Sequence, residues 1–333
     1  MNGGPGCSSS TGLLFELGPC LIAKNTTSST TSAPFTTRNP FSWTEHANII
    51  FLDQPVNVGF SYSSDGSTSS NSPAAAKDVW AFLEFFLIRF PEYAKADFHI
   101  AAESYGGHYA PNIASVVHKK NKEIEEIGNA EGFKKINLKS VILANGITEP
   151  YTQFGTVPDF LCNGPYPVLD NDGPKCAELR SKVPTCQRLV KACYRSGSRF
   201  AWYVYSAFSS HPRSHFPASS RICSTLHCSV PAGIYCSAAL WGPLQELELN
   251  PYDVRKKCVK EEDGQLCYKQ MEWIDEWMNL PEVQAELGVQ SGRTFQSMCL
   301  IASPRVALTL LPWLGLTLNR LQHASQPGIL PPR

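Results

Sequence analysis

One segment constrains this chain more than any other: a short apolar strand pattern, Phe98 to Ala102, runs into Glu103-Ser104-Tyr105-Gly106-Gly107 and then into helix-forming sequence. A strand that ends on a serine and turns tightly into a helix is the setting of a nucleophile elbow. Such a turn projects the hydroxyl above the sheet and holds the next backbone N–H where it can face a developing oxyanion. The first small residue of the G-x-S-x-G pattern is Ala102 here, which still leaves room for close packing. On the pattern alone, a purely structural serine remains an equal reading.

Two more apolar runs, Ala47 to Leu52 and Leu138 to Ala144, read together with Asp97 to Ala102 as buried parallel strands. Between Ala47–Leu52 and Asp97–Ala102 lies a predicted helix with Ser72 as its cap and Pro73 in its first turn. Val79, Phe82, Leu83, Phe86 and Phe90 recur there at helical spacing. Another helix is expected after Ser104. Alternating strands and helices build a doubly wound, mostly parallel sheet whose functional loops sit at strand carboxyl ends, which is where Ser104 falls. From Ile147 to about Arg255 the pattern breaks into short, cysteine-bearing pieces, as an insertion would. Helical periodicity returns at Met271 to Met278 and again from Pro281.

A chain of 333 residues can form one large α/β domain with an insertion, or two ordinary domains. Its 29 basic and 29 acidic residues cancel without long blocks of one sign, so nucleic acid is not an expected partner. Twelve cysteines without paired CxxC repeats point to an oxidising compartment rather than a zinc ribbon. Asn25-Thr26-Thr27 is an N-glycosylation acceptor triplet that reads equally as a polar loop. Asn2-Gly3-Gly4-Pro5-Gly6 follows Met1 in place of an apolar signal core, so the true start is expected upstream. The longest apolar run, Val306 to Leu318, falls short of the ~20 residues of a spanning helix and contains Pro312; no membrane span is expected. Trp202 to Cys228 and Cys299 to Arg333 contain no Asp, Glu or Lys, and we read 202–228 as extraneous and the sequence after Ser297 as out of frame, with a pair of ordinary neutral loops as the alternative reading.

Three separate motifs then occur in order. Asn2-Gly3-Gly4-Pro5-Gly6-Cys7-Ser8-Ser9 can form a loop of outward-facing N–H groups. Phe51-Leu52-Asp53-Gln54-Pro55-Val56-Asn57-Val58-Gly59-Phe60-Ser61-Tyr62 is the second, and Ala102 to Pro111 the third. With them the chain resembles the serine carboxypeptidase family, most closely its fungal vacuolar members, over roughly residues 2–201 and 229–297.

The resemblance implies an α/β-hydrolase fold with a disulfide-bearing insertion: core at 1–146, insertion at 147–257, a return to the core at 258–297, and an atypical tail at 298–333. It implies removal of C-terminal residues from peptides and proteins through an acyl-enzyme on Ser104, without a metal or organic cofactor, in a vacuolar or secreted enzyme. The N–H groups of Gly4 and Tyr105 would hold the oxyanion. Asn2, Gly3, Glu16 and Glu103 match the positions that bind the substrate's terminal carboxylate. Thr11, Phe15, Tyr252, Tyr268 and Met271 match the pocket for the departing side chain, although core packing is the ordinary role of such residues. Disulfides would join Cys162 with Cys176, Cys186 with Cys236, Cys193 with Cys228 and Cys258 with Cys267. Cys7 would pair near Cys299, leaving Cys20 and Cys223 without a clear mate.

Members of the family carry the triad acid in a Gly-Asp-x-Asp segment and the base in a Gly-His-Met-Val-Pro segment, and neither occurs in this sequence. His323, the only histidine after Cys299, has other surroundings. His108 shares a helix face with Ser104, but a base must approach the hydroxyl from across the site. It is read as packing within the elbow helix. The chain as it stands is therefore expected to lack peptidase turnover. Two alternatives stay open: a non-catalytic or truncated peptide-binding homologue, and an esterase of the same fold, which would leave Asn2, Glu16 and Glu103 unexplained.

Overall fold

The computed structural model describes residues 1–25, 32–69, 71–128, 132–195, 232–264, 266–295 and 297. The segments read as extraneous or out of frame, 202–228 and 298–333, lie outside these residues. The chain divides into two units, one of Met1–Thr148 with Val259–Ile301 and one built on Glu149–Cys258.

In the first unit, β1 (Cys20–Ala23) pairs antiparallel with β2 (Phe35–Arg38). Helix α1 (Ser72–Arg89) follows, then β3 (Phe98–Glu103), α2 (Gly106–Ile127) and β4 (Leu138–Ala144). Strands β3 and β4 pair in parallel, with Ile100 opposite Val141 and Glu103 opposite Ala144. Helix α2 is the crossover that a parallel pair requires. Ala76, Val79, Leu83 and Leu87 of α1 meet Ile100 and Ala102 of β3 and Ala110, Ile113 and Val117 of α2 in one buried cluster. That core fixes the end of β3, and with it Ser104. A second cluster joins Leu14 and Ile22 to Met271, Ile274 and Met278 of the helix Gln270–Met278, and to Phe295. A short helix, Pro281–Glu286, follows as expected.

Three sequence expectations are corrected here. Ala47 to Leu52 is not a strand: no ladder partner lies beside it among the described residues, and the Leu52 carbonyl accepts from Ser9 Oγ at 2.6 Å. An apolar run becomes a strand only where a neighbour satisfies its backbone. The cap of α1 is Asn71 rather than Ser72; Asn71 has an extended backbone and its Oδ1 accepts from the Ala74 N–H at 2.9 Å, so Ser72 is already helical. Finally, β4 is not buried. Val141, Ile142 and Leu143 are 37%, 43% and 42% exposed because only β3 pairs with β4 among the described residues.

The second unit is more helical than its sequence suggested. α3 (Pro150–Gly155), α4 (Val157–Asn163) and the 22-residue α5 (Pro174–Arg195) enclose Phe154, Leu161, Leu179, Val190, Leu240 and Leu244. Pro184 inside α5 hid its length from the sequence pattern. Disulfides Cys162–Cys176 and Cys186–Cys236 run through this core, with Cα separations of 6.1 and 5.1 Å. Cys7, Cys193, Cys258 and Cys267 are also disulfide-bonded, whereas Cys228 and Cys299 lie outside the described residues and Cys20 is a half-buried free thiol. Among the described residues no helix is long and apolar enough to cross a membrane.

Replacing Asn71 by Ala should destabilise the first unit by about 1 kcal/mol, and replacing it by Ser should retain most of that stability. Urea unfolding midpoints would show it; equal midpoints for Asn71→Ala and the parent would remove Asn71 from the account.

Candidate active site

At the end of β3 the chain turns through Ser104, whose φ of 55° lies in the left-handed region. A non-glycine residue there carries strain of roughly 1–2 kcal/mol. The turn is held from three directions. The Ser104 N–H donates to the Ala144 carbonyl at 3.1 Å, and the Ser104 carbonyl accepts from the N–H groups of Ile147 at 2.8 Å and Gly107 at 3.0 Å. Ala102, in the place of the usual glycine, shifts the demand for a small residue onto Gly106. A Cβ on Gly106 would stand 2.6 Å from the Ala102 methyl.

The loop that begins the chain lies directly on this turn. A Cβ on Gly3 would come within 2.3 Å of the Tyr105 nitrogen, so only glycine permits the approach. The Gly6 N–H donates to the Tyr109 hydroxyl at 3.0 Å, which ties the far side of the loop to α2. Tyr109 is 3% exposed, and burial pushes its phenol well above the usual range. Neither the Gly4 N–H nor the Tyr105 N–H donates to a backbone carbonyl among the described residues.

Beside the elbow, Asn2, Glu16 and Glu103 come together. Asn2 Oδ1 accepts from the Gly12 N–H at 3.0 Å, which turns the amide nitrogen toward the acids; Nδ2 lies 2.9 Å from Glu103 Oε2 and 3.5 Å from Glu16 Oε1. Glu16 is delivered by a wide π-helical turn, Gly12–Glu16, and Glu103 by the last position of β3. The Glu16 carboxyl is pushed up to about 7, first by burial and then by the negative charge of Glu103 and a hydrogen bond with it; a hydrogen bond from Asn2 opposes the shift. Below neutral pH Glu16 thus keeps its proton and can donate a hydrogen bond to a bound carboxylate.

Of the residues matched to the side-chain pocket, Phe15 meets Tyr268 with ring centroids 5.1 Å apart, and Thr11 Oγ1 lies 3.7 Å from Met271 Sδ. Met271 is 4% exposed and belongs to the core. Tyr252 stands in the other unit and is 57% exposed. His108 is engaged away from Ser104: Nδ1 contacts the Ile147 carbonyl and the ring stacks on Tyr105 at 4.5 Å. Asn25 is exposed, while Thr26 and Thr27 lie outside the described residues. Sequence reasoning missed Tyr109 as a loop anchor; its spacing from Ser104 carries no sign of a partner a hundred residues earlier.

The serine carboxypeptidase family model matches residues 1–301. Carboxypeptidase Y homolog A of Uncinocarpus reesii is 44% identical over 293 residues, 87% of this chain and 44% of the relative. The homologue from Botryotinia fuckeliana is 43% identical with the same coverage. The chain thus spans less than half the length of the curated relatives it matches. A solved prohormone-processing carboxypeptidase from Saccharomyces cerevisiae superposes with a TM-score of 0.62 at 22% identity, over 92% of this chain and 60% of that one. The fold is an α/β-hydrolase core with a disulfide-bearing insertion, and the chain belongs to the serine carboxypeptidase family.

Proposed function

We propose that this chain carries the nucleophile and the carboxylate-recognition half of a serine carboxypeptidase active site. The observation that carries the reading is the Asn2–Glu16–Glu103 cluster beside a serine held at positive φ. An esterase has no use for such a cluster. In the reaction of an enzyme with its full triad, Ser104 Oγ attacks the last peptide carbonyl, and its proton passes to the departing amine through a base that the family carries in a segment absent from this sequence. The amino acid leaves, and water then hydrolyses the acyl ester. The N–H groups of Gly4 and Tyr105, which donate to no backbone carbonyl among the described residues, are the proposed donors to the oxyanion. The close approach of Gly3 to the Tyr105 nitrogen supports this reading. Thr11, Phe15, Tyr268 and Met271, all in the first unit, are the proposed contacts of the departing side chain.

The sequence holds neither segment in which the family carries the acid and the base, so the chain alone binds rather than turns over. The substrates are C-termini of peptides or proteins. The disulfides Cys162–Cys176 and Cys186–Cys236 and the exposed Asn25 support a vacuolar or secreted location.

The first expected outcome concerns pH. A blocked dipeptide acid should bind this chain tightly below the Glu16 pKa of about 7 and lose affinity as pH rises through it. The loss should approach tenfold per unit above that pKa, because only protonated Glu16 donates to the ligand carboxylate. The matching amide should bind with a flat profile, and Glu16→Gln, a donor at every pH, should flatten the acid's profile. Calorimetric titrations from pH 5 to 8 decide the matter, and equal profiles for acid and amide would contradict the proposed carboxylate seat. The second outcome concerns turnover. The purified chain should leave blocked dipeptides intact and resist fluorophosphonate labelling at Ser104; hydrolysis at about 1 to 10³ per second would refute the assignment of the base to another segment.

A further inference from the structure

We propose that Asp53 is the positioning residue of the carboxylate seat, acting through Ser9 on Asn2. The inference rests on reading the Asn2–Glu16–Glu103 cluster as the seat of a terminal carboxylate. Asp53 touches none of these three residues, yet its carboxylate gathers donors from two loops. Oδ1 accepts from the Ser8 hydroxyl at 2.5 Å and the Ser9 N–H at 3.0 Å, and Oδ2 accepts from the Phe60 N–H at 3.2 Å. The loop 53–61 closes around it. Gly59 has a φ of 55°, and a Cβ there would fall 2.0 Å from Oδ2, while Ser61 Oγ donates to the Asp53 carbonyl at 2.7 Å.

Ser9 passes the constraint on. It is 1% exposed, donates its hydroxyl to the Leu52 carbonyl at 2.6 Å, and accepts the Asn2 N–H on the same oxygen at 3.3 Å. With its N–H on Asp53 and its hydroxyl on Leu52, Ser9 has no freedom to turn, and the Asn2 backbone is fixed with it. Asn2 then presents Nδ2 to Glu103 and Glu16. The neighbouring serines depend on the same carboxylate. Ser8 and Ser10 are 0% and 4% exposed; the Ser8 hydroxyl also lies 3.0 Å from Ser10 Oγ and accepts the Ser10 N–H at 3.1 Å. Hydrogen bonds to an ionised carboxylate are roughly twice as strong as neutral ones, and a buried donor that loses its acceptor must move to find another. An amide at position 53 supplies one acceptor and one donor where both oxygens now accept. It therefore sets N–H against N–H and forces one loop away.

The test compares Kd values of a blocked dipeptide acid and its amide for the full chain at pH 5, with melting temperature measured alongside. In the parent the acid should bind more tightly. Asp53→Asn should cut the acid-to-amide preference by about tenfold while the amide's Kd stays within about twofold, since the amide does not use the seat. Ser61→Ala loosens the same loop without touching the carboxylate's donors and should leave the preference unchanged. If Asp53→Asn does not fold, Ser8→Ala removes one donor only and should lower the preference about threefold. A preference retained in Asp53→Asn, or in Ser8→Ala where that variant stands in, overturns the positioning role alone. Equal losses for acid and amide with a fall in melting temperature also overturn it, by showing a structural role. No preference in the parent overturns both this inference and the reading beneath it.

Discussion

Ser104 occupies a backbone conformation that a serine keeps only under constraint, and the constraint comes from β4 and the loop behind it. The Ala144 carbonyl and the Ile147 N–H clamp both polar groups of the Ser104 peptide, so the parallel pairing of β3 with β4 is what aims the hydroxyl. The α1–β3–α2 core then prevents β3 from sliding. Every other feature of the site is measured from that turn: Gly3 lies against the Tyr105 nitrogen, Glu103 directly before the turn and Tyr105 directly after it. Strain at a reactive position persists where surrounding structure over-determines it. Three hydrogen bonds and two close glycine contacts do so here.

The carboxylate cluster depends on the same geometry from the opposite direction. Two acids and an amide are held together in a partly desolvated place, an arrangement that costs free energy unless a proton is shared. The proton resides on Glu16, whose carboxyl is raised by burial and by the charge and hydrogen bond of Glu103. The cost of holding Glu16 away from water is the origin of its ability to donate to an anionic ligand. Stability follows the same sign. A carboxyl with a raised folded pKa favours the folded state at acid pH, and that contribution is lost as pH rises from the ordinary carboxylate range toward about 7.

Much of this was legible in the sequence because it is local. The elbow follows from an apolar strand meeting Ser104 and two glycines, and α2 and the helix Gln270–Met278 follow from periodicity. What escaped depends on partners distant in the chain. Ala47 to Leu52 has the composition of a strand, but a strand needs a neighbour, and composition does not show one. Asn71 and Ser72 are both good caps, and only the backbone angles choose between them. Helix α5 was hidden by Pro184 and by an apolar face interrupted with cysteines. Within the site, Asn2, Glu16 and Glu103 were identified through resemblance rather than spacing, since nothing in positions 2, 16 and 103 announces a cluster. Tyr109 and Asp53 act on residues 103 and 44 positions away, which no local pattern encodes.

The protonation of Glu16 is the point on which the functional account turns, and it can be observed directly. Carboxyl carbon-13 resonances of the full chain, assigned through Glu16→Gln, should show Glu16 titrating near 7 in the free protein and higher when a blocked dipeptide acid is bound. The matching amide should leave the titration in place. A Glu16 carboxyl that titrates in the ordinary range, indifferent to the dipeptide acid, would contradict the account.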